Sequence, residues 1–332
     1  MAVITLAGPI AGGMQGKAAR QLGGMGHDVA VALAAELDAI NRNRLARTEI
    51  LCSTGLRCDR ALLDAAPRLR AIVTPFLGVD TIDVAAATER GVLVARGGAP
   101  EHYQSMAEAT ILLVLAASFD LPASLAGLSP WGSQGGPEHR RIVTGRKLGI
   151  LGYGSIAQDV VRRLSCWPVD LQVHNRTPPS DLPAGVRSVG FDELFKTSDI
   201  VMLLIALTPE TRHIVDARVL GLMKDDALLV NTGRGPLVDE SALVDWLREK
   251  PARKVALDVF EVEPLPEDSP LRGLPNAVLT PHCVGLTRDA SAGILRQTTE
   301  NLLAVARGEV PASTVNPEIA EAWLTGTKAS AG

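Results

Sequence analysis

The chain has 332 residues, 46% hydrophobic and 21% charged, the balance of a globular protein of about two domains. That excludes a disordered chain, a collagen-like repeat and a small disulfide-stapled module. Lys plus Arg number 33 against 37 Asp plus Glu, a net charge of −4, so no cationic surplus exists to neutralise nucleic-acid phosphates, and neither DNA nor RNA is an expected partner.

From the amino terminus, short β-branched and aliphatic runs alternate with helical periodicity. VITLA (residues 3–7), EILCS (49–53), RAIVT (70–74) and GVLVA (91–95) read as buried parallel strands. Between them, residues 59–65 and 83–90 open on Asp and repeat apolar side chains at three and four, as amphipathic helices do. No basic region precedes the first apolar run, and the apolar stretch 107–117 is too short to span a bilayer. A cytoplasmic location without membrane contact is therefore expected. Periodicity is lost over 121–146, where Pro122, Pro130, Gly132, Gly135, Gly136 and Pro137 accumulate, and this stretch reads as an exposed arm or loop.

A second set of strands follows: KLGIL (147–151), VDLQVH (169–174), DIVMLLI (199–205), ALLVN (227–231), KVALDVF (254–260) and AVLT (277–280). Six such runs separated by helical segments suit a doubly wound parallel sheet. One more amphipathic helix covers 288–307, and a tail rich in Ala, Thr and Pro runs over 311–332. Cys52, Cys58, Cys166 and Cys283 are scattered without a CxxC pair, which suggests neither a disulfide framework nor a zinc site and fits a reducing compartment. No metal is expected.

Directly after the strand 147–151 comes Gly152-Tyr153-Gly154-Ser155-Ile156-Ala157 and then the helical run QDVVRRLSCW. This is a GxGxxA at a strand-to-helix turn. Gly152 permits the tight turn, Gly154 lets the backbone approach a pyrophosphate, and Ala157 allows close helix packing, while the helix start offers unpaired N–H groups. At the end of the next strand, where an NAD enzyme normally presents Asp or Glu to the ribose, the residues are His174-Asn175-Arg176-Thr177. Arg176 can neutralise a 2′-phosphate, and Asn175 and Thr177 can donate to it, which points to NADP(H).

Ligands of open α/β sheets bind beyond the carboxyl ends of the strands. Three loops there carry Asn231-Thr232-Gly233-Arg234-Gly235, Asp258-Val259-Phe260-Glu261-Val262-Glu263-Pro264 and Thr280-Pro281-His282-Cys283-Val284-Gly285. Arg234 offers a planar fork for a carboxylate, and His282 a proton near neutral pH that Glu263 can orient. Each residue alone reads as surface or turn chemistry. Together, on a sheet that carries a dinucleotide fingerprint, they are the parts needed to reduce a 2-oxo acid. Cys283 beside His282 reads as packing, since no second motif asks for a nucleophile.

The ordered runs GVDTIDVAAATERGVLV, GRKLGILGYGSIAQ, LTPETRHIV, NTGRGPLVDESAL, ALDVFEVEPL and TPHCVG resemble the D-isomer-specific 2-hydroxyacid dehydrogenases over about residues 50 to 310. The resemblance implies two doubly wound parallel-sheet domains. One is a Rossmann dinucleotide-binding domain over 105–287, and the other a discontinuous flavodoxin-like substrate domain from 1–104 and 288–332. It implies a homodimer. It makes Arg234 the carboxylate anchor, His282 the acid/base and Glu263 its partner, with Leu77 and Gly78 offering N–H groups to the substrate beside Arg234 and His282. The dinucleotide would be contacted by Met106, Tyr153, Gly154, Ser155, Ile156, Asn175, Arg176, Thr177, Ala206, Leu207, Thr208, Thr232, Gly233, Asp258 and Gly285, with Asp258 near the nicotinamide amide.

Two departures refine the resemblance. The family often has Asn and Pro where this chain reads VARGGAPEHY (94–103), so the substrate loop is unusual, and Arg96 fits either a substrate with a second acidic group or a solvated position. The Asn175-Arg176 pair makes the chain similar to NADPH-dependent glyoxylate/hydroxypyruvate reductases, with NADP(H) preferred and NAD(H) the second cofactor. A regulatory domain beyond residue 332 is not expected, which makes a feedback-regulated phosphoglycerate dehydrogenase less expected. The alternatives are a non-catalytic dinucleotide sensor or corepressor, and a related dehydrogenase of another small anion such as formate or phosphite. Formate enzymes pair the histidine with Gln, and Glu263 argues against them.

Overall fold

Parallel strands need crossover connections, and alternating apolar runs with amphipathic segments satisfies that need twice in the computed structural model, which describes residues 1–8, 13–32, 40–126 and 140–329. Met1–His102 with Arg288–Gly332 forms one unit and Tyr103–Thr287 the other.

The first unit runs β1 (Val3–Ala7), α1 (Gly13–Gly24), β2 (Asp28–Ala32), α2 (Arg42–Leu45), β3 (Ile50–Ser53), α3 (Arg60–Ala65), β4 (Ala71–Val73), α4 (Val84–Glu89) and β5 (Leu93–Ala95). Its strands are all parallel in the order β2-β1-β3-β4-β5, the flavodoxin-like arrangement. β1, β3, β4 and β5 are buried throughout, as a parallel sheet covered on both faces requires. The Asp residues that signalled two helices cap them: Asp59 Oδ1 accepts from Leu62 N at 3.2 Å, and Asp83 Oδ1 from Ala86 N at 2.9 Å.

α5 (Pro100–Ser118) carries the chain into the second unit. There follow α6 (Leu121–Ala126), β6 (Lys147–Leu151), α7 (Ser155–Leu164), β7 (Asp170–His174), β8 (Val186–Ser188), α8 (Phe191–Thr197), β9 (Ile200–Leu203), α9 (Ala217–Leu220), β10 (Leu228–Asn231), α10 (Glu240–Glu249), β11 (Lys254–Leu257) and β12 (Ala277–Leu279). The sheet is parallel in the order β12-β11-β10-β9-β6-β7-β8, the Rossmann order with a seventh strand added beyond β11. α11 (Arg288–Ala306) and α12 (Ala320–Ala329) belong to the first unit. Among the described residues, no helix is long and apolar enough to cross a membrane.

The structure corrects the sequence reading at several elements. β2 was not expected: DVAVA is Ala-rich and only half buried at the sheet edge. β8, the opposite edge of the other sheet, is the short and mostly exposed VRS. Part of the expected loop over 121–146 is helical as α6, residues 127–139 of it lying outside the described residues. The tail is not featureless either. Asn316 is buried and caps the first sheet's edge, accepting from Val94 N at 2.8 Å and donating to Val92 O at 3.0 Å. Trp323 of α12 is also buried and donates from Nε1 to Arg70 O at 2.7 Å. Residues 330–332 lie outside the described residues.

Candidate active site

All strands of the second sheet run one way, so the loops after them leave a single edge, and the strand order reverses between β6 and β9. A crevice for a ligand opens at such a reversal. Gly152, directly after β6, has φ +99°, and a Cβ on it would lie 2.6 Å from Leu204 O. Only glycine makes that turn. Gly154 caps α7 without a side-chain hydrogen bond, and a Cβ there would meet nothing within 4 Å. Ala157 is fully buried against the sheet. An uncapped helix start facing open space, reached through small residues, is what a pyrophosphate needs, so the turn bearing Tyr153, Gly154, Ser155 and Ile156 fits a dinucleotide.

After β7, Asn175 Nδ2 donates to Thr177 O at 2.9 Å and closes a tight turn, on which Arg176 is exposed. Nothing from 174 to 179 carries a negative charge. Across the edge, the Glu210 carboxyl is held below its ordinary range by the Thr208 hydroxyl first, its own backbone N–H next, and more weakly by the charge of Arg176. Ala206, Leu207 and Thr208 follow β9, where Thr211 Oγ1 accepts from Thr208 N at 2.7 Å and donates to Ala206 O at 2.9 Å.

The loop after β10 is curled by Asn231, whose Oδ1 accepts from Gly233 N at 3.0 Å and whose Nδ2 donates to Arg234 O at 2.9 Å. Thr232 and Thr110 of α5 share a 2.9 Å hydroxyl contact. Arg234 is half-buried and donates from Nη1 to Gly233 O at 2.8 Å. A Cβ on Gly235 would fall 1.8 Å from Phe260 O. The Arg234 loop thus lies directly on the loop after β11.

That second loop carries Asp258 and Glu263. Asp258 is 2% exposed, and its Oδ1 accepts from Thr280 Oγ1 at 2.6 Å, Cys283 N at 3.0 Å and Val284 N at 3.2 Å. One carboxylate therefore binds the whole loop after β12. That loop holds His282 in the left-handed region at φ +52°, its N–H donating to Asp258 O at 2.7 Å. A histidine pays for such a backbone only where neighbours enforce it. Gly285 completes the turn against α5: a Cβ on it would meet Met106 Sδ at 2.1 Å, and Ser105 Oγ donates to its carbonyl at 2.9 Å.

Glu263 and His282 meet. Phe260 N donates to Glu263 Oε1 at 3.0 Å, and Glu263 Oε2 lies 2.7 Å from His282 Nδ1. The hydrogen bond to Glu263, aided by that carboxylate's charge, raises the His282 pKa above the ordinary histidine value, against burial and the repulsion of Arg234. Burial is the largest influence on Glu263 and pushes it up, but the bonds from His282 and Phe260 N–H, with the charges of His282 and Arg234, leave it below the usual carboxylate range. Both shifts favour an imidazolium–carboxylate pair. With Nδ1 engaged, Nε2 is the nitrogen able to exchange a proton with a substrate. Burial pushes the Cys52 and Cys58 thiols up to about 12, so neither is a nucleophile.

The second unit thus brings Arg234, Asp258, Glu263 and His282 to the sheet edge that carries the fingerprint turn. Leu77 and Gly78 follow β4 in the first unit, in a loop fixed by Gly97, whose N–H donates to Phe76 O at 2.9 Å and whose Cβ would lie 1.9 Å from Pro75 O. Sequence reasoning missed Thr110 and Thr280, single hydroxyls without a motif. It also missed the role of Asp258 Oδ1 as the organiser of the His282 loop.

Residues 128–284 match the family model of the D-isomer specific 2-hydroxyacid dehydrogenase, NAD binding domain. A glyoxylate reductase of Thermofilum pendens is 35% identical over 289 residues, 84% of this chain and 84% of that protein. A D-3-phosphoglycerate dehydrogenase of Methanocaldococcus jannaschii is 36% identical over 275 residues, which cover 80% of this chain and 51% of that protein. The crystal structure of a glyoxylate reductase from Paecilomyes thermophila superposes with a TM-score of 0.82 at 28% identity, covering 96% of this chain and 99% of that one. The chain belongs to the D-isomer specific 2-hydroxyacid dehydrogenases. It is an oxidoreductase of the class that binds a nicotinamide dinucleotide and acts on a small 2-hydroxy acid.

Proposed function

We propose that the protein is an NADPH-preferring reductase of a small 2-oxo acid, of the glyoxylate or hydroxypyruvate type, interconverting it with the D-2-hydroxy acid. The observation that carries this reading is the 2.7 Å contact between His282 Nδ1 and Glu263 Oε2 beside the Arg234 loop. In this reading Arg234 grips the substrate carboxylate through its planar fork. The nicotinamide, when bound, supplies the hydride. Charged by Glu263, His282 gives a proton from Nε2 to the alkoxide oxygen that develops at C2, and in the oxidative direction the same nitrogen takes it back. Asp258 keeps His282 in register through its three bonds and would receive the nicotinamide amide. Met106, Thr232, Gly233 and Gly285 would hold the nicotinamide end of the cofactor, and Ala206, Leu207 and Thr208 would hold the rest of the dinucleotide.

The cofactor preference rests on Arg176. An exposed guanidinium at the end of β7, with no acidic side chain from 174 to 179, attracts a 2′-phosphate and leaves the ribose hydroxyls of NADH without their usual carboxylate. Asn175 and Thr177 complete the phosphate contacts. Steady-state kinetics at fixed substrate are expected to favour NADPH over NADH by about tenfold or more in kcat/KM, which needs about 1.4 kcal/mol. Arg176→Ala should abolish that preference by weakening NADPH, and Asn175→Asp with Arg176→Ala should reverse it. An unmutated enzyme that prefers NADH would refute this part of the reading. The unit Met1–His102 with Arg288–Gly332 serves as the substrate domain in this proposal, and the enzyme works as a cytoplasmic homodimer. Its four cysteines, all free, suit a reducing compartment.

A further inference from the structure

Two residues before Glu263, Glu261 carries a second carboxylate with its own histidine. Glu261 Oε1 lies 2.7 Å from His213 Nε2 and accepts from Glu240 N at 3.3 Å. In return, Glu261 N–H donates to Glu240 Oε1, so the start of α10 and the loop after β11 are tied twice. His213 comes from the segment after β9, and its backbone is clamped to the chain just beyond Arg234. His213 N donates to Pro236 O at 2.8 Å, and Val215 N to Leu237 O at 3.0 Å. Like His282, His213 sits in the left-handed region at φ +52°.

The loop from Phe260 to Glu263 is therefore gripped from two sides. Gly235 lies against the Phe260 carbonyl, while Glu240 and His213 hold Glu261. The backbone N–H that orients Glu263, that of Phe260, belongs to this same span. His213 Nε2 is buried and lies beside Glu261 Oε1 without the alignment of a hydrogen bond. The groups that face one another here are the carboxyls of Glu240, Glu261 and Glu263, the imidazoles of His213 and His282 and the guanidinium of Arg234. Burial, reinforced by the Glu261 and Glu263 charges, raises the Glu240 carboxyl above its ordinary range despite the Glu261 N–H.

We infer that His213, Glu261 and Glu240 are positioning residues that set the Glu263 carboxylate against His282 and so tune the proton donor. The inference rests on the acid/base reading of His282 given above. His213→Asn keeps a residue that tolerates the left-handed backbone but is too short to reach Glu261. Glu240→Ala removes an acceptor that Glu240→Gln retains. His213→Asn and Glu240→Ala are each expected to lower kcat for 2-oxo acid reduction about tenfold and to move the high-pH limb of the kcat/KM profile down by about half a unit, with the dinucleotide KM changed less than about twofold. Glu240→Gln should keep the unmutated profile. Unmoved pH limbs in both His213→Asn and Glu240→Ala would overturn the inference even if kcat fell, since a general loss of folded enzyme lowers amplitude without moving a limb. Glu263→Gln is the control. If it moves the limb and His213→Asn does not, only the positioning cluster fails; if it too leaves the limb in place, the acid/base reading falls, and the cluster with it.

Discussion

Replacing His282 with Ala is expected to lower kcat for 2-oxo acid reduction by about 10²- to 10⁴-fold, the contribution of a positioned general acid, while NADPH binding measured by fluorescence titration is nearly unchanged. The split follows from geometry. In the proposed reading His282 acts at the substrate oxygen, whereas the Gly152–Ala157 turn and the end of β7 would hold the dinucleotide. The pH dependence has a defined sign. Reduction needs the imidazolium, so activity falls as pH rises through the His282 pKa, and Glu263 raises that pKa. In Glu263→Gln the high-pH limb of the reduction profile should therefore move to lower pH. Oxidation needs the neutral imidazole, so its low-pH limb should move down as well. A His282→Ala enzyme with unmutated kcat across this range would remove His282 from the chemistry.

Arg234→Lys should damage activity far more than its unchanged charge suggests. An ammonium is a point donor, whereas the guanidinium fork makes two parallel contacts with a carboxylate. A loss of about 10²-fold in kcat/KM for 2-oxo acids is expected, equivalent to about 2.7 kcal/mol of transition-state stabilisation. Comparing each 2-oxo acid with the matching aldehyde isolates the role. Aldehyde reduction, already slow, should fall much less, and an equal fall for both would mean that Arg234 does not read the carboxylate.

The parallel strands were legible because strands buried on both faces are continuous aliphatic runs, as IVML in β9 and LLVN in β10 illustrate. The sheet edges were not. DVAVA is only half buried and VRS is short and mostly exposed, both at sheet edges, so neither forms the long aliphatic run that marks an inner strand. α12 escaped notice because Ala and Thr fill half of it, and its anchor is one tryptophan whose indole reaches a backbone carbonyl far away in sequence. At the site, the residue types and their places after successive strands could be read directly, since a parallel sheet sends those loops to one edge. What could not be read is how they are held. The bonds that Asp258 Oδ1 makes to the His282 loop, the left-handed backbone at His213 and His282, and the seat of Gly235 on Phe260 are relations between loops distant in sequence.

Whether the protein reduces 2-oxo acids is decided by turnover of the purified, unmutated protein on a panel that includes glyoxylate, hydroxypyruvate and pyruvate, with NADPH and NADH in parallel and the product resolved on a chiral column. Oxidation of the dinucleotide is expected to be coupled one-to-one to formation of a 2-hydroxy acid, of D configuration wherever C2 of the product is a stereocentre, and faster with NADPH. Binding of the dinucleotide without turnover of any 2-oxo acid, or an L product, would contradict it.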